Sequence, residues 1–284
     1  METARSDQDE SAASSRHMGQ SVGPNTTKEP SLRVVARAIE LLETLSEQPM
    51  RPSELCKSLG LPWTSVYRLV QQLADKQFIE REPRTGQYRI GQACWLVGSA
   101  YTINHPVLDI ARPGLELLAS RVDAVLQLCE RAGRHALTLL SVHTSRSESV
   151  PRTYYGYPLP LHCSSKGQVL LAFSGGAFID WYLSTELERL TPDTVTDPVG
   201  LREMLVRIRE QGYAHTEGGV LRGSASIAVP VFGRDQHVVA SICATARCES
   251  FADEESTIVI VEQLRAVAFN VSSAIGWRPS ASTH

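Results

Sequence analysis

The residues of this chain whose types and spacing could do chemistry gather around His162-Cys163-Ser164-Ser165-Lys166. A cysteine beside a histidine suggests a thiol nucleophile and its general base. Neighbours on an extended segment, however, point to opposite faces, which places His162 badly for taking the Cys163 proton. A cysteine-dependent or metal-binding enzyme using Cys163 and His162 is therefore kept as the alternative. A metal set of His162, Cys163, Cys243 and Cys248 lacks the close ligand spacing of known sites. The stronger reading is a binding site. Ser164, Ser165 and Lys166 open a helix whose free N–H groups and positive end favour an anion, and a carboxylate is the natural guest. Tyr155, Tyr157 and His162 precede that helix and would wall an aromatic or short aliphatic body. Ser226, Ser241 and Cys243 alternate on strands and are expected to face inward. The plainer reading makes Ser164 a helix cap and the tyrosines core.

A second set of polar residues lies on a helix after Pro62. Val66, Leu69, Val70 and Leu73 form its buried stripe, which leaves Trp63, Thr64, Ser65, Tyr67, Arg68 and Gln71 to project outward. Hydroxyl and amide groups bond phosphates, and arginine reads guanine bidentately. Between Arg33 and Arg89, Arg37 among them, nine basic residues face seven acidic ones, a local excess of two. The whole chain carries a net charge of −3, so the remainder is five negative. A DNA-binding head needs this asymmetry, and no overall basic field exists to hold nucleic acid non-specifically. A helical protein-interaction module with a solvated polar face is the plainer reading.

The elements that position these residues follow from the pattern. Val35, Ala38, Leu42 and Leu45 recur at helical spacing as far as Pro49. Pro52 opens a short helix closed by Gly60, and Pro62 restarts another, so two helices are joined by a tight turn. Phe78–Arg81 and Tyr88–Ile90 flank a turn containing Pro83 and Gly86, which completes a winged helix-turn-helix over residues 31–91. Gln92 to Asn104 reads as a linker helix (92–105), stopped by Pro106. The rest, 106–276, is expected to be an antiparallel α+β domain with helices at 107–121, 164–173, 178–183, 198–211 and 251–275 and strands at 124–131, 135–143, 226–231 and 237–245.

With 284 residues, 42% of them hydrophobic and 21% charged, the chain has the composition of a globular protein of about two domains. No stretch approaches the roughly 18 apolar residues of a membrane helix, and the N-terminus has no apolar signal core, so a cytoplasmic protein is expected. Six scattered cysteines without a C-x-x-C pair read as reduced core residues rather than a disulfide scaffold or zinc ribbon. Residues 1–30 are almost free of large apolar side chains and are expected to form a disordered tail, and 277–284 a C-terminal tail. Met18 offers an alternative initiation point.

The order of these signals resembles the IclR family of bacterial transcription regulators. The matching blocks are Arg37-Ala38-Ile39-Glu40-Leu41-Leu42, Gly60-Leu61-Pro62-Trp63-Thr64-Ser65-Val66-Tyr67-Arg68-Leu69, Tyr88-Arg89-Ile90-Gly91, Pro160-Leu161-His162-Cys163-Ser164-Ser165-Lys166-Gly167, Leu190-Thr191-Pro192-Asp193-Thr194-Val195-Thr196-Asp197-Pro198 and Ile227-Ala228-Val229-Pro230-Val231. The resemblance implies a winged-helix head, a linker helix and a GAF-like α/β effector-binding domain that assembles as a homodimer or homotetramer. It places DNA-reading positions on Pro62, Thr64, Ser65, Tyr67 and Arg68, with Arg84, Gln87 and Arg89 in the wing. The chain departs from the family at Gly167-Gln168, where Gly-Lys is common, and at Glu217-Gly218-Gly219, where paired acids are common. Glu217 is counted with the effector residues. The expected protein is a one-component regulator of a metabolic, catabolic operon. Its expected partners are double-stranded operator DNA and a small organic or aromatic acid, with no cofactor and no membrane.

Overall fold

Proline and glycine punctuate the first elements where the sequence expects them. In the computed structural model, which describes residues 30–143, 158–251 and 253–279, α1 (Pro30–Glu47) is followed by α2 (Pro52–Leu59) and α3 (Trp63–Asp75). Pro52 sits in the first turn of α2, where its missing N–H costs nothing, and the Glu54 carboxylate accepts from the Arg51 N–H at 2.6 Å. Gly60 ends α2 at φ +61°, a conformation glycine adopts without strain. The hairpin β1 (Ile79–Arg81) and β2 (Tyr88–Ile90) pairs Glu80 with Arg89, and Tyr88 also exchanges backbone bonds with Met50 before α2. Leu41, Leu45, Leu55, Val66, Leu69, Val70, Ile79 and Tyr88 form one core beneath these elements. It is the element order of a winged helix-turn-helix.

The chain divides into two compact units between Val97 and Gly98, inside α4 (Gln92–Ile103). In the second unit α5 (Val107–Ala119) leads to β3 (Val125–Ala132) and β4 (His135–Val142), then to β5 (Leu159–Pro160), α6 (Ser165–Ala172), α7 (Gly176–Leu183) and α8 (Pro198–Gln211). β6 (Ala214–Glu217), β7 (Ser224–Phe232) and β8 (Val238–Arg247) precede α9 (Glu254–Ala274). The strands form a six-stranded sheet in the order β5-β4-β3-β8-β7-β6, with antiparallel neighbours throughout. This is an α+β fold, consistent with a GAF-like domain.

Strand alternation divides the sheet into two chemistries. Leu126, Leu128, Ile227, Val229, Ile242 and Ala244 lie in one core with α5 and α9. The intervening positions, Gln127, Cys129, Ser226, Ser241 and Cys243, take the other face with α6. Every residue of α6 is buried, so its sequence shows no polar stripe. Val169, Leu170 and Leu171 each contribute on the order of 1.5–3 kcal/mol of apolar burial. Gly167 is required there, since a Cβ would stand 2.4 Å from the Leu161 carbonyl oxygen.

Two short strands were not legible in the sequence. β5 has two residues, and β6, Ala214-His215-Thr216-Glu217, is polar at three of four positions because it forms the sheet edge. The last helix starts at Glu254 rather than 251, after a 3₁₀ turn over Cys248–Phe251 and with Asp253 capping the Ser256 N–H at 2.7 Å.

Candidate functional site

Packing α6 on the polar face of the sheet brings hydroxyl and thiol groups together. Ser165 Oγ donates to Ser226 Oγ on β7 at 2.8 Å and lies 3.7 Å from Cys243 Sγ on β8. The Ser165 N–H donates to Thr216 Oγ1 on β6 at 3.1 Å, and Thr216 Oγ1 is 2.8 Å from Ser226 Oγ. Lys166 reaches the other half of the sheet, where Nζ donates to Gln127 Oε1 at 3.0 Å and to Thr138 Oγ1 at 2.9 Å. Ser164 Oγ is buried and makes no hydrogen bond among the described residues. The loop across from this helix start is fixed by Thr191 Oγ1 and Thr194 Oγ1, each donating at 2.7 Å, to the carbonyls of Gly218 and Gly219. A Cβ at Gly219 would meet the Cys163 carbonyl oxygen at 2.4 Å, so only glycine permits that approach.

His162 and Cys163 face elsewhere. The two are not on an extended segment: a turn precedes α6 and sets Cys163 Sγ 3.5 Å from His162 Nε2, which corrects the expectation of opposite faces. Proximity does not make a catalytic pair. His162 Nε2 donates to the Glu188 carbonyl at 2.9 Å, and Nδ1 accepts from Tyr182 Oη at 2.8 Å, so no lone pair is left for the thiol proton. Burial, aided by Glu188, pushes the Cys163 thiol up to about 12, and burial lowers His162 below the usual histidine range. A neutral thiol is a poor nucleophile. Nor do His162, Cys163, Cys243 and Cys248 converge: among the described residues no group of three or more His, Cys, Asp or Glu side chains could hold a metal ion.

The expected effector residues are thus separated. Ser165, Ser226 and Cys243 are brought together. Ser241 Oγ is spent on the Lys166 carbonyl at 3.1 Å, tying α6 to β8. His162 lines a different cavity, of about 560 Å³, with Arg134, Tyr182, Glu188 and Arg189. Glu217 points away: it follows Thr216 on β6, so alternation turns it outward, 3.7 Å from His215 Nε2. The free N–H groups expected at the helix start are partly used, since that of Ser165 belongs to Thr216. Tyr155 and Tyr157 lie outside the described residues. Thr216, Thr138 and Gln127 were missed. They stand on strands that the sequence either hides (β6) or shows as apolar runs, and the period-2 alternation of Gln127 with Leu126 and Leu128 was the available signal.

In the first unit, the buried stripe of α3 turns Trp63, Thr64, Tyr67, Arg68 and Gln71 to solvent, while Ser65 is half-buried. Trp63 and Tyr67, one helical turn apart, have ring centroids 5.9 Å apart. A cleft of about 310 Å³ is lined by Arg37 on α1 and by Ser65, Arg68 and Gln72 on α3. Among the described residues no carboxylate pairs with Arg37, Arg68 or Arg84, so their charge is available. Arg89 differs from the expectation: it is held by its cross-strand partner Glu80 at 2.6 Å and by Glu82 at 3.9 Å. Gln87 turns back, donating through Nε2 to the Pro49 carbonyl at 3.4 Å. Pro62 caps the start of α3 and presents no polar side chain.

Residues 99–273, more than half of the chain, match the family model of the bacterial transcriptional regulator IclR C-terminal domain. The chain belongs to the IclR family. Residues 30–103 match a second model, the HVO_A0261 N-terminal domain. Among its IclR relatives, the DNA-binding transcriptional repressor YiaJ of Escherichia coli is 27% identical over 249 residues, covering 85% of this chain and 87% of YiaJ. The HTH-type transcriptional repressor AllR of Salmonella typhi is 28% identical over 267 residues, covering 93% and 97%. An IclR homolog from Microbacterium hydrocarbonoxydans, solved with 4-hydroxybenzoate, superimposes with a TM-score of 0.72 at 27% identity, over 85% of this chain and 98% of that one. Among the described residues no helix of this IclR protein is long and apolar enough to cross a membrane.

Proposed function

We propose that this IclR-family regulator binds operator DNA through α3 and its wing and senses a small organic acid at the start of α6. Two observations together carry the reading. A helix edge with exposed hydroxyls and unpaired arginines is built on the first unit, and a buried, incompletely satisfied polar cluster is built inside the second. Phosphate contacts from Arg37 and Arg84 would fix register while Arg68, Thr64 and Tyr67 approach base edges. The 4-hydroxybenzoate bound by the Microbacterium relative supports an aromatic acid as the guest. Cys163 and His162, both spent on structure, favour a sensor over an enzyme.

Two heads on a pseudo-palindrome require a two-fold assembly. α4 supports one: Trp95, Val97 and Ile103 on it are 72%, 63% and 79% exposed. The test combines selection of operator sequences from randomised duplexes with sedimentation of the free protein. The reading expects a two-fold-symmetric consensus, a dimer or tetramer, and an affinity for the consensus that changes with at least one acid in a panel. A monomer that selects no sequence would end it.

A further inference from the structure

Lys166 carries a charge that its surroundings leave uncompensated. The residue is 4% exposed, and its ammonium reaches only two acceptors, the neutral oxygens of Gln127 and Thr138. An ammonium has three donors, and among the described residues neither a third acceptor nor any carboxylate meets this one. Gln127 is held with its oxygen towards the ammonium, because its amide Nε2 donates to Ser141 Oγ at 3.5 Å. Two residues back along the chain, Ser164 Oγ is buried without a hydrogen-bond partner among the described residues. A buried cation that meets only neutral dipoles among the described residues, on a helix start that also carries an orphaned hydroxyl, is expensive to maintain unless something else occupies the site. Its backbone cannot relax away to solvent, since Ser241 holds the Lys166 carbonyl and the whole of α6 is enclosed.

The helix start is only partly open to an anion, and the Ser165 position is closed to it. The N–H and hydroxyl of Ser165 are both given to neighbours, Thr216 and Ser226. We infer that Lys166 is the residue that reads the effector's charge: the ligand presents a carboxylate, or an anion of similar size, to Lys166 Nζ, and a second polar atom to Ser164 Oγ. This deepens the organic-acid reading and rests on it. Chemically the site asks for a compact acid with one further hydrogen-bonding group, and it discriminates against the uncharged amide or ester of the same shape. That discrimination follows from Coulomb attraction at low dielectric, where an amide would leave the ammonium unneutralised.

The experiment is thermal unfolding of the full-length protein and of Lys166→Met, each with benzoate, 4-hydroxybenzoate or succinate, and with benzamide, 4-hydroxybenzamide or succinamide at matched ionic strength. The account expects at least one acid to raise the midpoint of the native protein while its amide does not. In Lys166→Met it expects that shift to vanish, with at least about a thirtyfold loss in the acid's affinity. The ligand-free midpoint of Lys166→Met should equal or exceed that of the native protein, because an uncompensated buried charge has been removed. An acid-specific shift that survives in Lys166→Met overturns the Lys166 assignment and leaves the organic-acid reading standing. A marked fall in the ligand-free midpoint overturns it likewise, by showing the lysine to be an internal structural partner. Equal stabilisation by acid and amide, or none by any acid, overturns both; the acid-against-amide comparison on the native protein holds even if the variant does not fold.

Discussion

Tyr101, in the last turn of α4, donates its hydroxyl to the Glu130 carboxylate on β3. The same strand, three residues earlier, carries Gln127, which accepts from Lys166. His105 reinforces the contact, with its ring stacked on Tyr101 at a centroid distance of 3.8 Å and Nε2 3.8 Å from Glu130. The strand that lines the candidate effector site is thereby hydrogen-bonded to the helix leading back to the first unit. Tyr101→Phe is expected to leave effector affinity in the absence of DNA within about twofold while reducing the effector's influence on operator affinity, which in allosteric systems is typically about 5- to 150-fold. Titrations of operator with and without effector, on both proteins, check this; an unchanged coupling factor would mean the contact transmits nothing.

The recognition helix and the wing should respond differently to loss of charge. Arg68→Ala is expected to weaken operator binding by about 1–3 kcal/mol and to relax preference at one base position. Arg84→Ala should weaken all sequences alike and lower the salt slope by about one. Gel-shift titrations over a range of salt concentrations distinguish the two, and no effect from either substitution would remove α3 and the wing as the DNA interface.

Packing at the start of α6 depends on a missing side chain. Gly167→Ala would force a methyl group to 2.4 Å from the Leu161 carbonyl oxygen and is expected to destabilise the second unit by about 1–3 kcal/mol or more. Gly175→Ala, where nothing lies within 4 Å of the added Cβ, should change stability by less than about 1 kcal/mol. Chemical denaturation measures both, and equal costs would show that α6 can slide to accommodate the methyl group.

His162 gives stability a defined pH dependence. Burial lowers its folded-state affinity for a proton below the ordinary 6.5, so the unfolded chain takes up a proton first as pH falls. Its contribution is complete above that value and is lost as pH falls from about 6.5 towards the lower folded value. His215, lowered in the same way by burial, adds to the trend. Tyr182→Phe removes the donor to Nδ1 and should cost about 1 kcal/mol at neutral pH. Unfolding midpoints across this pH range provide the check, and a midpoint that rises on acidification through 6.5 would contradict a buried neutral His162.

Much of this was legible in the sequence because the signals were periodic. The stripe Val66, Leu69, Val70 and Leu73 located α3 and its outward face, and the Pro and Gly stops placed the helix ends. What escaped was whatever depended on pairing between distant segments. Arg89 reads as a free basic residue until Glu80 is placed across the hairpin from it. Glu217 reads as a binding acid until the β6 register turns Thr216 inward in its place. Lys166 reads as one more residue at a helix start, and only the strands holding Gln127 and Thr138 show that its ammonium runs the other way, into the sheet. The His162–Cys163 geometry was misjudged because a turn, not an extended strand, precedes α6.

On the proposed function, effector and operator binding are linked within one chain. The most direct test is isothermal titration of the acid that best stabilises the native protein, performed with and without saturating operator duplex. The acid's Kd is expected to change with DNA by the same factor by which the acid changes the operator's Kd, since binding free energies are reciprocal. An acid affinity that is identical with and without operator would contradict it and would leave the second unit an assembly module rather than a sensor.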